Sequence, residues 1–155
     1  MTDTVPGEAP TFRLVYRSRS RIPTDSRVTE LGEIFSVARP KNKKLGVTGA
    51  LLLTDGWFVQ VLEGQEQPVR DLYQRIATDP RHDAVELLQT MTVGERVFAR
   101  WAMAKVAEDG EADIPLIAGA RGATAAAARE TTAEQQTVLD MMRLMARGAD
   151  AASAG

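Results

Sequence analysis

The stretch GVTGALLLTDGWFVQVLEG (Gly46–Gly64) reads as two apolar strands joined by a tight turn, with one polar residue, Gln60, in the middle of the second. Asp55-Gly56 between alternating apolar residues is a strong short-range hairpin signal. Strand side chains alternate between faces, so Trp57, Val59 and Val61 share one side while Phe58, Gln60 and Leu62 share the other. Both sides are apolar enough to be covered. A carboxamide in that setting carries two donors and an acceptor away from water, and leaving such groups unpaired costs about 1–3 kcal/mol. Gln60 therefore demands a partner.

The flanking segments supply a fold for the hairpin. In FRLVYRS, Phe12, Leu14 and Tyr16 alternate with Arg13, Val15 and Arg17, the pattern of a first strand with one face towards a core. From Ser26 to Arg39, the apolar residues Val28, Leu31, Ile34, Phe35 and Ala38 recur at helical spacing. Thr24, Asp25 and Ser26 are candidate caps there, and Pro40 is the expected stop. PVRDLYQRIATDP carries Val69, Leu72, Tyr73 and Ile76 as an i, i+3, i+4, i+7 stripe, opened by a proline and closed near Pro80. Val85–Gln89 and the alternating run Val97–Val106 are the last two strands. The order βαββαββ predicts an α+β, ferredoxin-like fold: a mixed five-stranded sheet with two helices on one face and a C-terminal helical extension.

Residues 1–10 read as a loose polar leader and 11–108 as the folded domain. Residues 109–155 read as an Ala/Gly-rich linker followed by a helix. In that helix Thr131 and Glu134 form a capping box, and Val138, Leu139, Met142 and Met145 form an apolar stripe. The stripe suits either the bare sheet face or a second subunit.

At 155 residues, 44% of them hydrophobic, the chain suffices for one cored domain with a short appendage. A formal net charge of -2 gives no overall basic excess of the kind nucleic-acid binders carry, although local basic clusters remain. With no cysteine, disulfides, thiolate metal sites and cysteine nucleophiles or adducts are excluded, and a reducing cytoplasm is compatible. No apolar run approaches the roughly 18–20 residues that span a bilayer, and the N-terminus lacks a signal-peptide pattern. A soluble cytoplasmic protein is expected.

Five short motifs then line up: LVYRS (Leu14–Ser18), Asn42 six residues before TGALL (Thr48–Leu52), FVQVLEG (Phe58–Gly64), DPRH (Asp79–His82) and RWAM (Arg100–Met103). In this order they resemble the BLUF domain, a blue-light sensor that uses flavin, in its short single-domain form. The resemblance implies FAD, with FMN or riboflavin as possible substitutes, lying between the two helices. It implies that Tyr16 donates an electron and a proton to excited flavin, and that Gln60 bridges the phenol and the flavin edge. Asn42 would hold the other polar edge, and Ile34 and Ile76 would pack on the ring faces. Arg81 and His82 would lead towards the ribityl-phosphate end, while Trp101 and Met103 on the last strand would repack beside Gln60 after light. A carboxamide suits such a switch because its hydrogen-bond pattern reverses when oxygen and nitrogen exchange places.

The resemblance further implies a signalling module rather than an enzyme. Its output would pass through the last strand and C-terminal helix to an unidentified downstream protein, with self-association through that helix and without nucleic acid or membrane. Lys41 stands where family members often carry Asn or His. It could join Arg17, Arg19, Arg21, Lys43 and Lys44 in offsetting the cofactor's diphosphate.

Taken singly, these residues have ordinary readings. Tyr16 is a half-buried core tyrosine, Asn42 a residue just past a helix end, and His82 a surface or loop residue without a second histidine to form a metal site. Trp101 and Met103 are core. Two rivals share the fold: an acylphosphatase-like hydrolase using an Arg and an Asn, and an RNA-recognition module. The first lacks a glycine loop leading into a helix, and the second wants paired aromatics on an open sheet.

Overall fold

A computed structural model of the chain describes residues 10–54, 56–99, 101–107, 114–115 and 137–146. The leader at 1–9, most of the linker and the capping box at Thr131 and Glu134 lie outside the described residues. Strand β1 spans Thr11–Ser20 and helix α1 Arg27–Leu45; the hairpin forms β2, Thr48–Thr54, and β3, Trp57–Gly64. Helix α2 spans Glu66–Ala77, and strands β4, His82–Val93, and β5, Ala104–Ala107, follow.

The sheet order is β4-β1-β3-β2-β5-β6, where β6 is a two-residue strand, Ile114–Pro115, lying parallel to β5 in the segment expected to be linker. β3 runs antiparallel to both β1 and β2, so β1 and β2 are parallel with β3 between them. β1 is likewise antiparallel to β3 and β4. In the two split βαβ units α1 and α2 lie on the same side of the sheet, where their residues join one cluster. Gly56 supplies the left-handed backbone of the hairpin turn, at φ 82°.

The sheet has a core on each side. Phe12, Leu14, Tyr16, Phe58 and Leu62 meet Leu31 and Phe35 of α1 and Val69 and Leu72 of α2. Val15, Ala50, Leu52, Val59 and Val61 meet Val138, Leu139, Met142 and Ala146 of a third helix, α3, at residues 137–146. The apolar stripe that the sequence offers to either the sheet or a second subunit is here packed on the chain's own sheet. The RNA-recognition reading loses its open sheet for the same reason.

Three boundaries differ from expectation. Pro40 does not stop α1, which runs on to Leu45 and ends where Gly46 turns left-handed at φ 71°. An interior proline costs about 3 kcal/mol; here the last turns are tied down by Arg39 Nε to Met103 O (3.1 Å) and Asn42 Nδ2 to Ala102 O (2.9 Å). β4 is longer than Val85–Gln89 because two register shifts against β1 break its alternation, one of them next to Ala84 at φ 51°. β5 is shorter than Val97–Val106. The backbone N–H groups of Val97 and Phe98 turn away to the carboxylate of Glu63 (3.0 and 2.9 Å), so the described residues 97–99 and 101–103 precede the strand as a loop.

Candidate functional site

Between α1 and α2, above the sheet, lies a cleft of about 210 Å³ that opens to solvent. One wall is Ile34, Val37 and Ala38 of α1, the other Leu72 and Ile76 of α2, and the floor is Leu51, Phe58, Tyr16 and Gln60. Val37 is 68% exposed despite facing this cleft. Two apolar walls held apart with polar groups on the floor fit a flat aromatic ligand with a hydrogen-bonding rim.

The floor holds the expected pair. Tyr16 and Gln60 are partners across β1 and β3, and Tyr16 Oη donates to Gln60 Oε1. In this arrangement the carboxamide oxygen faces the phenol and its nitrogen faces away from it. Gln60 Nε2 then points at Met103 Sδ, 3.2 Å away, a weak acceptor. Burial raises the Tyr16 phenol far above its ordinary pKa of 10.0, and the neighbouring Tyr73 and Asp79 push the same way. The Tyr73 ring lies 5.4 Å from that of Tyr16, a neighbour the sequence did not single out.

Asn42 lines the cleft from within α1, not from beyond its end, and is 2% exposed. Its amide N–H donates to the loop carbonyl of Ala102, which ties the cleft to the segment carrying Met103. Met103 is buried beside Gln60, but it precedes β5 instead of lying in it. Trp101 also precedes the strand, and it packs with the cluster under α3, not beside Gln60. Both residues thus precede the strand expected to carry them, and they face different cores, Met103 the one at the cleft and Trp101 the one under α3.

At the mouth stand Lys41, Arg75, Asp79 and Arg81. Arg81 pairs with Asp79, and the guanidinium bonds hold the Asp79 carboxyl below the usual carboxylate range. Of the basic residues offered for a diphosphate, Arg17 pairs with Glu86, while Arg19 and Arg21 pair with Asp83. Lys41 is on the cleft lining, joined by Arg75, which shares a helix turn with Ile76 and went unnoticed. His82 is neither a surface nor a loop residue. It opens β4, buried, with Nδ1 2.6 Å from Ser18 Oγ and Nε2 2.6 Å from Ile76 O. The carbonyl only accepts, so Nε2 carries the proton there. Both ring nitrogens are thereby engaged within the protein, and what His82 offers the cleft is its ring. No group of three or more metal-ligating side chains occurs among the described residues.

Fold and cleft together have the shape of a receptor for a planar chromophore, with the amides of Gln60 and Asn42 on its lining. The profile of the BLUF family, sensors of blue-light using FAD, matches residues 11–104. The blue light- and temperature-regulated antirepressor BluF of Escherichia coli (strain K12) is 43% identical over 76 residues, covering 48% of this chain and 18% of that protein. The photoactivated adenylate cyclase subunit alpha of Euglena gracilis is 34% identical over 97 residues, covering 63% and 10%. Among solved structures, dark-state BlrB, a BLUF protein, superposes with a TM-score of 0.59 at 32% identity, over 62% of this chain and 71% of that one. Photo-activated BlsA gives 0.59 at 33% identity, over 61% and 68%. The chain spans only 10% to 18% of the length of these two curated relatives. It belongs to the BLUF family, and its domain is a blue-light sensor that uses flavin.

The residues present fit that group: an apolar slot, an amide at the floor, a buried phenol behind it and cations at the mouth. The acylphosphatase-like reading has no support, since Asn42 donates to a loop carbonyl instead of facing an anion cradle. Among the described residues no helix is long and apolar enough to cross a membrane.

Proposed function

We propose that the cofactor is FAD, seated with its ring between Ile34 and Ile76, its polar rim at Gln60 and Asn42, and its phosphates beside Lys41 and Arg75. The family description names FAD, and the cleft lining supports the placement. His82 backs the ring from the inner end, and Arg81, braced by Asp79, borders the path to the mouth.

Bound flavin supplies absorption of blue light and an excited state that takes an electron from a nearby phenol. Tyr16 is that phenol. With flavin bound, Tyr16 would give it an electron, and the Oη proton would follow to the flavin by way of the hydrogen bond to Gln60 Oε1. The carboxamide, whose Nε2 meets the weak acceptor Met103 Sδ, would then exchange the positions of Oε1 and Nε2. Return of the electron and proton to Tyr16 would leave the new arrangement in place, with altered donors at the flavin edge and an altered contact to Met103.

The chain acts as a sensor without catalysis of its own, in the cytoplasm, and its output passes through loop 97–103 and α3 to a downstream protein. The observation that carries this function is the continuous contact from Tyr16 through Gln60 to Met103 on the floor of an apolar slot. Purified protein loaded with FAD is expected to show a flavin band that shifts to the red under blue light and recovers in the dark. A band that bleaches irreversibly or does not move overturns it.

A further inference from the structure

We propose that Glu63 is a positioning residue for the light response: with Arg13 it clamps residues 97 and 98, so that rearrangement at Gln60 and Met103 reaches the core under α3. This inference rests on the photoreceptor reading above. Glu63 and Gln60 are three residues apart on β3 and face opposite sides of the sheet.

Glu63 is fully buried, in a setting where an unpaired carboxylate is very costly. Its oxygens accept from Val97 N (3.0 Å), Phe98 N (2.9 Å), Arg13 Nε (3.0 Å) and Arg13 Nη2 (3.0 Å). Two successive backbone N–H groups converging on one anion form a nest, and the guanidinium balances the charge. A buried ion pair of this kind adds little stability over an apolar replacement. What it fixes is geometry. Neither an apolar residue nor a carboxamide could accept all four donors.

The clamped end belongs to the loop whose other end is the switch. Past the clamp, Trp101 O accepts from Gly49 N (3.0 Å), Ala102 O from Asn42 Nδ2 (2.9 Å) and Met103 O from Arg39 Nε (3.1 Å), while Met103 Sδ meets Gln60 Nε2 (3.2 Å). Phe98, fully buried, and Trp101 belong to the cluster that α3 covers, and Met103 belongs to the cluster at the cleft. With residues 97 and 98 held, a displacement at Met103 does not pass the clamp and reaches α3 through Trp101. The clamp also resists that displacement, which shortens the life of the lit arrangement.

The test has two arms on the full chain loaded with FAD. In the unaltered protein, backbone amide exchange is compared in the dark and under steady blue light. The amides of Val97 and Phe98 are expected to stay protected in both states while those of residues 101–103 change. In Glu63→Gln, built with Trp57→Phe so that Trp101 is the sole tryptophan, the initial red shift is expected at full size. Dark recovery slows roughly threefold or more, the size of effect that coupling residues exert, and the light-minus-dark change in Trp101 emission shrinks. Unchanged recovery and Trp101 signal, or amides at 97 and 98 that exchange freely in light, overturn the clamp while leaving the photoreceptor intact. The amide-exchange arm decides the matter even where the variant does not fold. An unaltered protein with no red shift overturns both.

Discussion

Tyr16 and Gln60 are Cα partners on neighbouring strands, and the phenol of one donates to the amide oxygen of the other. Directly opposed side chains share a sheet face, so the pair is set by strand register alone. A slip of one residue would turn Gln60 towards α3 and leave Phe58 and Leu62 without their core. The apolar residues that fix the register therefore also fix the switch.

Tyr16→Phe removes the donor and leaves Gln60 Oε1 unpaired in a dry site, at about 1–3 kcal/mol. Flavin is expected to stay bound, the light-driven red shift to vanish, and the melting temperature to fall by several degrees. Tyr73→Phe, which removes the neighbouring phenol, is expected to keep the shift. Absorption spectra of the two variants before and after light separate the roles; a surviving shift in Tyr16→Phe removes that residue from the chemistry.

Alkaline pH should unfold the protein through the same phenol. The folded state holds the Tyr16 proton above the ordinary pKa of 10.0, where the unfolded chain releases it. The sign follows: stability is intact below about pH 10 and falls above it by up to about 1.4 kcal/mol per pH unit for one such group. Tyr73, also raised by partial burial, acts in the same direction. Denaturant midpoints measured from pH 9 to 12 check this, and a flat profile above pH 10 contradicts it.

Gly49 has no room for a side chain: a Cβ there would sit 1.9 Å from the carbonyl oxygen of Val61, and its N–H is committed to Trp101 O. Gly49→Ala must move backbone on β2 or β3, so a loss of about 1–3 kcal/mol is expected. Lit-state recovery should change as well, because the same N–H holds the loop. A thermal melt within a degree of the unaltered protein would show that the strands yield freely.

Lys41→Ala combined with Arg75→Ala is expected to weaken FAD about threefold to thirtyfold, on the scale of losing one or two partly exposed charge-assisted contacts. Riboflavin, which has no phosphate, should bind the variant as it binds the unaltered protein. Titrations followed by flavin fluorescence, at low and high salt, distinguish the two; equal weakening of both ligands would place the phosphates elsewhere.

The hairpin and both long helices were legible because each rests on a local period of two or about 3.6, whereas Tyr16, Gln60, Ile34 and Ile76 were singled out as site residues by the family resemblance. The errors share one physical origin. Pro40 inside α1, the register shifts in β4 and the loop before β5 are all places where distant groups overrule local pattern. Arg39 and Asn42 hold the helix past its proline, and the buried carboxylate of Glu63 pulls Val97 and Phe98 out of a run that alternates like a strand. Arg75 was overlooked because a lone cation near a helix end has no distinguishing local signature.

Strand β3 is a strip printed on both sides. Its even positions 58, 60 and 62 touch the light-gathering compartment, and its odd positions 57, 59, 61 and 63 touch the compartment roofed by α3. On the proposed function, colour tuning and downstream readout are written in alternate letters of one word. Substitutions at odd positions are expected to change what reaches α3 while sparing the spectrum, whereas Gln60, at an even position, joins the two compartments and a change there is expected to alter both.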